Sequence, residues 1–202
     1  MIKPTDCAIV LGQRGCGKSF LAKNWQSLWP RRIIIDSLNE YQSGELIVHN
    51  FNDFADTLSH YDEIKRDKFE IIYQFDFETR NREVIFEEIL KLCYYFGNVL
   101  IVVEEIQLYS SPHNLPWRLE NALMTGRHQN IALLFTSQRP GLVNKSIFSQ
   151  CSHQFVGRIT EGNDLKYLRN VLGSEADKLS QLPDRKFLYF SNEGVQEISN
   201  DF

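Results

Sequence analysis

Gly12-Gln13-Arg14-Gly15-Cys16-Gly17-Lys18-Ser19 follows the pattern G-x-x-x-x-G-K-[ST]. Cys7 to Leu11 before it is a short apolar run that reads as a buried strand. After it, Phe20, Leu21, Trp25 and Leu28 fall at helical spacing. Strand, glycine-rich loop and helix are the context in which this pattern binds phosphate. Gly12, Gly15 and Gly17 let the backbone turn tightly and aim successive N–H groups at one anion. A helix starting near Lys18 adds the positive end of its dipole. The Lys18 ammonium suits the β- and γ-phosphates of a nucleotide, and the Ser19 hydroxyl suits Mg²⁺.

Working outward, apolar runs alternate with amphipathic ones. Strands are predicted over Arg32–Asp36, 45–49, Phe69–Phe75, Asn98–Val103, Ile131–Thr136 and His153–Arg158. Helices are predicted between them. One carries Phe51, Phe54, Leu58 and Tyr61 behind a cap at Asn50 or Asn52. Another carries Ile85, Ile89, Leu92 and Phe96 and stops at Gly97. A third carries Leu115, Leu119, Ala122 and Leu123 and stops near Gly126. A fourth starts at Thr160 or Asn163 and carries Leu165, Leu168 and Leu172, and a short helix follows over Ser174–Leu182. Phe187–Ser191 and Val195–Ile198 read as a closing hairpin. The alternation predicts an α/β fold with a mainly parallel sheet, one domain over residues 1–202.

Bulk composition narrows the function. The net charge of −4 excludes a protein that coats nucleic acid by overall charge. Basic pairs are local, as at Arg31/Arg32, Arg80/Arg82 and Arg185/Lys186. Arg80 and Arg82 follow a parallel strand and are the candidate DNA contact. No apolar run reaches the length of a membrane span, and the N-terminus lacks a secretion pattern, so a non-secreted protein is expected. Cys7, Cys16, Cys93 and Cys151 form no C-x-x-C pair, which argues against zinc and against a disulfide framework. Cys7 and Cys93 read as core residues. Cys16, beside phosphate-binding amides, is expected to have a lowered pKa.

Hydrolysis needs more than a phosphate cradle. It needs a group that handles the attacking water and a compensating charge in the transition state. Glu104-Glu105 ends the most apolar strand, the place of a Walker B pair. Glu104 would hold Mg²⁺ through water, and Glu105 would polarise the nucleophile. Gln138 ends the next strand, so a parallel sheet brings it to the same edge as Lys18 and Glu105. Arg127 lies at a helix end just before that strand, suited to serve a neighbour's nucleotide.

The order GQRGCGKS, IIIDSLNEY, VLIVVEE, Gly126-Arg127-His128, LLFTSQRP and QCSHQFVGRITEGNDLKYL resembles the HerA/FtsK superfamily of ring-forming ATPases. Within it the chain looks most like the small genome-packaging ATPases of tailless, membrane-containing icosahedral double-stranded DNA viruses. The likeness runs from about Cys7 to Phe190. It implies a RecA-like (ASCE) core with an extra strand between the P-loop and Walker B strands. It implies a homo-oligomeric ring, hexamer or pentamer, with double-stranded DNA in the pore and ATP and Mg²⁺ in the site. Gly12 to Ser19 would bind nucleotide; Ser19 and Glu104 would hold the metal; Lys18, Glu105, Gln138 and Arg127 would be catalytic, Arg127 as a trans finger. Asp36 matches an acid of the family pattern without an assigned role. Departures are Glu104 in place of the commoner Asp, and Ile106-Gln107 where His and Ala are usual. A packaging motor would borrow its targeting from capsid or portal-vertex proteins and act in the host cytoplasm or at the virion vertex. The alternatives are a related motor for conjugation or filamentous-phage extrusion, and a nucleotide-binding switch or scaffold. Asn144-Lys145-Ser146-Ile147 begins like the guanine-reading N-K-x-D but lacks its acid.

Overall fold

The computed structural model describes residues 3–42, 46–76 and 78–199. Seven parallel strands and a closing antiparallel hairpin form one sheet. In chain order they are β1 (Cys7–Leu11), β2 (Arg31–Asp36), β3 (Leu46–Val48), β4 (Phe69–Gln74), β5 (Val99–Val103), β6 (Ile131–Ser137), β7 (His153–Val156), β8 (Lys186–Ser191) and β9 (Gly194–Ser199). Across the sheet the order is β3-β4-β2-β5-β6-β1-β7-β8-β9. β6 therefore separates the glycine-loop strand β1 from the acidic strand β5, which is the inserted strand that the resemblance implied. Residue 45 of the predicted edge strand lies outside the described residues; Leu46–Val48 is strand.

The central strands are apolar throughout because both of their faces are covered. On one face lie Ala8, Val10, Leu100, Val102, Ala132 and Leu134, packed under Leu21, Ala22, Trp25 and Trp29. On the other lie Ile9, Leu11, Ile101, Val103, Leu133 and Phe135, packed under the remaining helices. The first face is the work of α1 (Lys18–Gln26). The second is covered by α2 (Phe51–Glu63), α3 (Arg82–Phe96), α4 (Trp117–Thr125), α5 (Lys145–Gln150) and α6 (Gly162–Leu172).

Several boundaries differ from the sequence reading for local reasons. Phe20 and Leu28 were placed on the apolar face of the first helix, yet both are exposed. The face toward the sheet is Leu21, Ala22 and Trp25, and α1 ends at Gln26, before Leu28. Asn50, not Asn52, caps α2 by accepting from the Asp53 N–H at 2.9 Å. Neither Thr160 nor Asn163 caps α6: Glu161 does, accepting from the Asp164 N–H at 2.8 Å. The short helix after α6 is a 3₁₀ run, Gly173–Gln181.

Candidate nucleotide site

A parallel sheet collects the C-terminal ends of its strands along one edge, and four of them build the site. β1 delivers the glycine loop. Gly12, at φ 155°, donates its N–H to Ser137 O (3.2 Å), while Gln13 donates to Arg158 O (2.9 Å). These two bonds hold the start of the loop between the ends of β6 and β7. A Cβ at Gly12 would stand 2.5 Å from Cys16 Sγ, so the position is glycine on steric grounds as well as conformational ones. Gly17, at φ 99°, turns the chain into α1. No side chain caps that helix start, and the positive end of its dipole suits an anion. Cys16 is buried within the loop, and burial pushes its thiol pKa up against the opposing charge of Lys18. The expected lowering is therefore reversed: loss of solvent outweighs the nearby cation.

Lys18 is buried to 7% exposure, and among the described residues no carboxylate lies within ion-pair distance of its ammonium. Ser19 beside it is exposed.

β5 delivers the two acids, and the turn after it sends them different ways. Glu104 is buried, with its N–H on Ile35 O (3.1 Å) and its carbonyl accepting from Ser37 Oγ (2.7 Å). Burial, then the charges of Asp36 and Glu40, raise its carboxyl pKa from 4.5 to about 7, while Tyr41 and Lys23 oppose the rise. The Tyr41 hydroxyl and the Gln26 side-chain oxygen lie close by, both buried without a well-aligned hydrogen bond. Asp36 is explained by its partners. It accepts from the N–H groups of Glu40 (3.0 Å) and Tyr41 (2.9 Å) and from Gln74 Nε2 (2.8 Å). It therefore shapes the loop after β2 and adds negative potential at Glu104.

Glu105 takes a left-handed backbone, φ 52° and ψ 58°, uncommon for a non-glycine residue. Its N–H donates to Thr136 Oγ1 (3.2 Å). Its Oε2 accepts from the Gln138 N–H (3.0 Å) and from the Gln107 side-chain amide. The structure thus brings Glu105 and Gln138 together, through the Gln138 backbone rather than its side chain. Gln107 is the neighbour that the sequence reading missed. Its amide holds the Glu105 carboxylate, while its own Oε1 is buried without a partner. Its position, two residues beyond an acidic pair, was the available signal, and it was noted only as a departure.

Arg127 is not brought to this edge. It is exposed, in the 3₁₀ turn Gly126–Gln129 just before β6, and borders a cavity of about 460 Å³ with Asp6, Cys7, Met124 and Gln150. Cys7 begins β1 and Gln138 follows β6, so roughly 20 Å of strand separates Arg127 from the acids. Of the nearer arginines, Arg139 pairs with Asp164 (3.1 Å) and Arg158 with Asp184 (2.7 Å), while Arg14, in the glycine loop itself, is exposed. Arg82 turns its guanidinium onto Ser37 O and Asp76 O and over the Phe75 ring, while Arg80 is exposed. Asn144 caps α5 through Ser146 N–H and donates to Ser111 O (3.0 Å), a purely structural arrangement.

A divalent cation fits the chemistry around Glu104. A buried carboxylate beside Asp36 and Glu40 sits in negative potential that a cation relieves. Among the described residues no cluster of three His, Cys, Asp or Glu forms an all-protein metal cage. Mg²⁺ keeps waters and substrate phosphates as ligands, so it does not require such a cage.

No protein-family model matches the chain, and no curated protein matches it. Solved structures do. The genome packaging NTPase B204 from Sulfolobus turreted icosahedral virus 2, in complex with ATP-gammaS, superposes with a TM-score of 0.77 at 17% identity. The match covers 97% of this chain and 98% of that one. B204, the DNA-packaging ATPase from Sulfolobus turreted icosahedral virus, gives 0.73 at 21% identity, covering 97% and 98%. The pCW3 conjugation coupling protein TcpA with ATPgS gives 0.55 at 14% identity, covering 96% of this chain and 60% of that one. At these identities the likeness shows the fold, and that fold is the P-loop NTPase fold that the sequence resemblance implied.

Proposed function

We propose that the chain is an ATP-hydrolysing motor that moves double-stranded DNA and packages a viral genome into a preformed capsid. Residues 1–202 would act as one ATPase unit. The carrying observation is the convergence of the glycine loop, buried Lys18, Glu104, Glu105 and Gln138 on one sheet edge. The near end-to-end likeness to two packaging ATPases, one of them bound to an ATP analogue, supports the choice of motor.

The chain's own residues divide the labour as follows. The N–H groups of Gly12 to Ser19 and the α1 terminus receive the phosphates, with Lys18 as their charge partner. Ser19 and Glu104 would hold Mg²⁺, which when bound neutralises charge on the transferring phosphoryl group. Glu105, held by Gln107 and the Gln138 N–H, accepts a proton from the attacking water. The Gln138 side chain orients that water or senses the γ-phosphate. Arg127 lies at the opposite edge of the sheet from its own site, so it would complete the site of a neighbour in a ring, hexameric or pentameric. Such a ring would work in the host cytoplasm or at the virion vertex, on capsid or portal-vertex proteins.

The test is ATP turnover with and without double-stranded DNA, with mass by light scattering. Expected is an oligomer whose turnover rises with DNA, the stimulation falling steeply with salt and showing little sequence preference. DNA-insensitive hydrolysis by a monomer would sink the motor reading and leave an ATP-binding switch. A strict preference for single strands would favour a transfer motor, the kind of event named for TcpA.

A further inference from the structure

We propose that Cys7 and Cys151 are a redox staple: a disulfide oxidant closes them into a bond that ties the start of β1 to the turn entering β7. The two residues are 144 apart in sequence, yet their sulfurs lie 3.0 Å apart. A disulfide bond is about 2.0 Å long, so closing it takes a movement of about 1 Å. The backbones are already fixed side by side. β1 and β7 are parallel neighbours with Ala8 opposite His153, and Ser152 Oγ donates to Cys7 O (3.2 Å). Asp6 and His153, which flank the pair, are joined by a 2.9 Å contact. The other cysteines do not compete: Cys16 lies in the glycine loop at the opposite edge and Cys93 is sealed in α3, both fully buried.

Access and order of reaction follow from burial. Cys7 is partly exposed and borders the cavity of about 460 Å³ that also reaches Lys3 and Gln150. Cys151 is buried, and burial first, then Cys7, raises its thiol pKa. Cys7 therefore reacts first with a small disulfide R–S–S–R. Its thiolate attacks one sulfur, the R–S–S–R bond breaks, and one thiolate leaves and takes up the proton that Cys7 lost. Cys151, on losing its proton, then attacks the Cys7 sulfur and expels the second thiolate, which takes up that proton. Two protein thiols are oxidised by two electrons, and one small disulfide is reduced to two thiols. The staple lies at the far end of β1 from the glycine loop and uses none of the groups that would touch nucleotide.

The experiment incubates the full chain with oxidised glutathione, then denatures it and counts thiols, with intact mass and a non-reducing peptide map. Four thiols fall to two, the mass drops by about 2 Da, and the map shows Cys7 joined to Cys151. A bond closing so long a loop raises Tm by on the order of 10 °C, reversed by dithiothreitol, with ATP affinity unchanged. The Cys7→Ser variant keeps all three of its thiols under the same treatment. Four free thiols in the oxidised wild type, a bond mapped to another pair, or a lasting glutathione adduct on Cys7 would each overturn the staple. The wild-type mass and map decide the matter even if the Ser variant does not fold.

Discussion

At the N-terminal edge of the sheet, His153 is matched by Asp6 and Tyr189; at the C-terminal edge, buried Lys18 and Glu104 have no ion-pair partner among the described residues. On the first, His153 bonds Tyr189 through Nδ1 (2.7 Å) and Asp6 through Nε2 (2.9 Å), and its ring stacks on Tyr189. On the second, Lys18 is buried with no carboxylate of the described residues within ion-pair distance, and Glu104 is buried against Asp36 and Glu40. Gln107 keeps a bare oxygen there. A buried charge without a counter-charge costs several kcal/mol, and a buried polar atom without a partner about 1–3. The first edge is arranged for stability. The second leaves buried charges uncompensated, and under the proposed function a magnesium nucleotide would supply both missing charges.

The comparison breaks most visibly at Arg127, the one proposed catalytic residue on the N-terminal edge. Arg127→Ala is expected to bind ATP normally and to lose about 10³-fold in turnover. Mixing it with Glu105→Gln restores part of the activity, since some interfaces then pair an intact Glu105 with an intact Arg127. No rescue in verified mixed oligomers would return Arg127 to a structural role and make Arg139 and Arg158 the next candidates.

Substitutions at the other edge should separate binding from chemistry. Glu105→Gln is expected to keep nucleotide affinity and lose about 10²–10⁴ in phosphate release. Lys18→Ala is expected to lose affinity first, by at least about tenfold, in a fluorescent-nucleotide titration. Equal affinity in Lys18→Ala and wild type would mean that the buried ammonium has another purpose.

The last expected effect is on stability rather than on nucleotide handling, and concerns Glu104 in the nucleotide-free chain. Its folded pKa, about 7, lies above the ordinary 4.5. Between those values the folded state holds a proton that the unfolded chain has released. Stability therefore falls as pH rises from about 4.5 to 7, by roughly 3 kcal/mol, and is then level. Urea unfolding at pH 5 and pH 8 measures the slope, which Glu104→Gln should flatten. An unchanged slope in that variant would place the effect elsewhere.

Much of this was legible before any coordinates. The glycine loop announces itself because it needs particular residues at fixed spacing. The strands announce themselves because a sheet covered on both faces requires unbroken apolar runs such as Val99–Val103. What stayed hidden depends on contacts across the chain. Asp36 could be seen as an acid at a strand end, but not as the acceptor for Glu40, Tyr41 and Gln74. Phe20 keeps helical spacing with Leu21 and Trp25, and only the roll of α1 on the sheet turns it outward. Gln107 was visible only as an unusual residue, since its hold on Glu105 depends on the left-handed turn between them. Gln138 was placed at the right edge, yet its N–H, which no side-chain pattern reports, makes the contact.

The sulfur of Cys16 joins distant parts of the sequence into one unit of variation. It lies 2.5 Å from where a Cβ at Gly12 would be, and 3.1 Å from where a Cβ at Gly157 would be. The Phe187 ring closes the same space from β8, at 2.8 Å from that second Cβ. Cys16 O also receives the N–H of Arg185, just before β8. Shrinking position 16 to alanine would clear the sulfur, yet Gly12 would keep its φ of 155° and Gly157 would still meet Phe187. No single replacement frees either glycine. The final hairpin, nearly the whole chain away from the glycine loop in sequence, is thus packed through Phe187 against the residues that shape that loop.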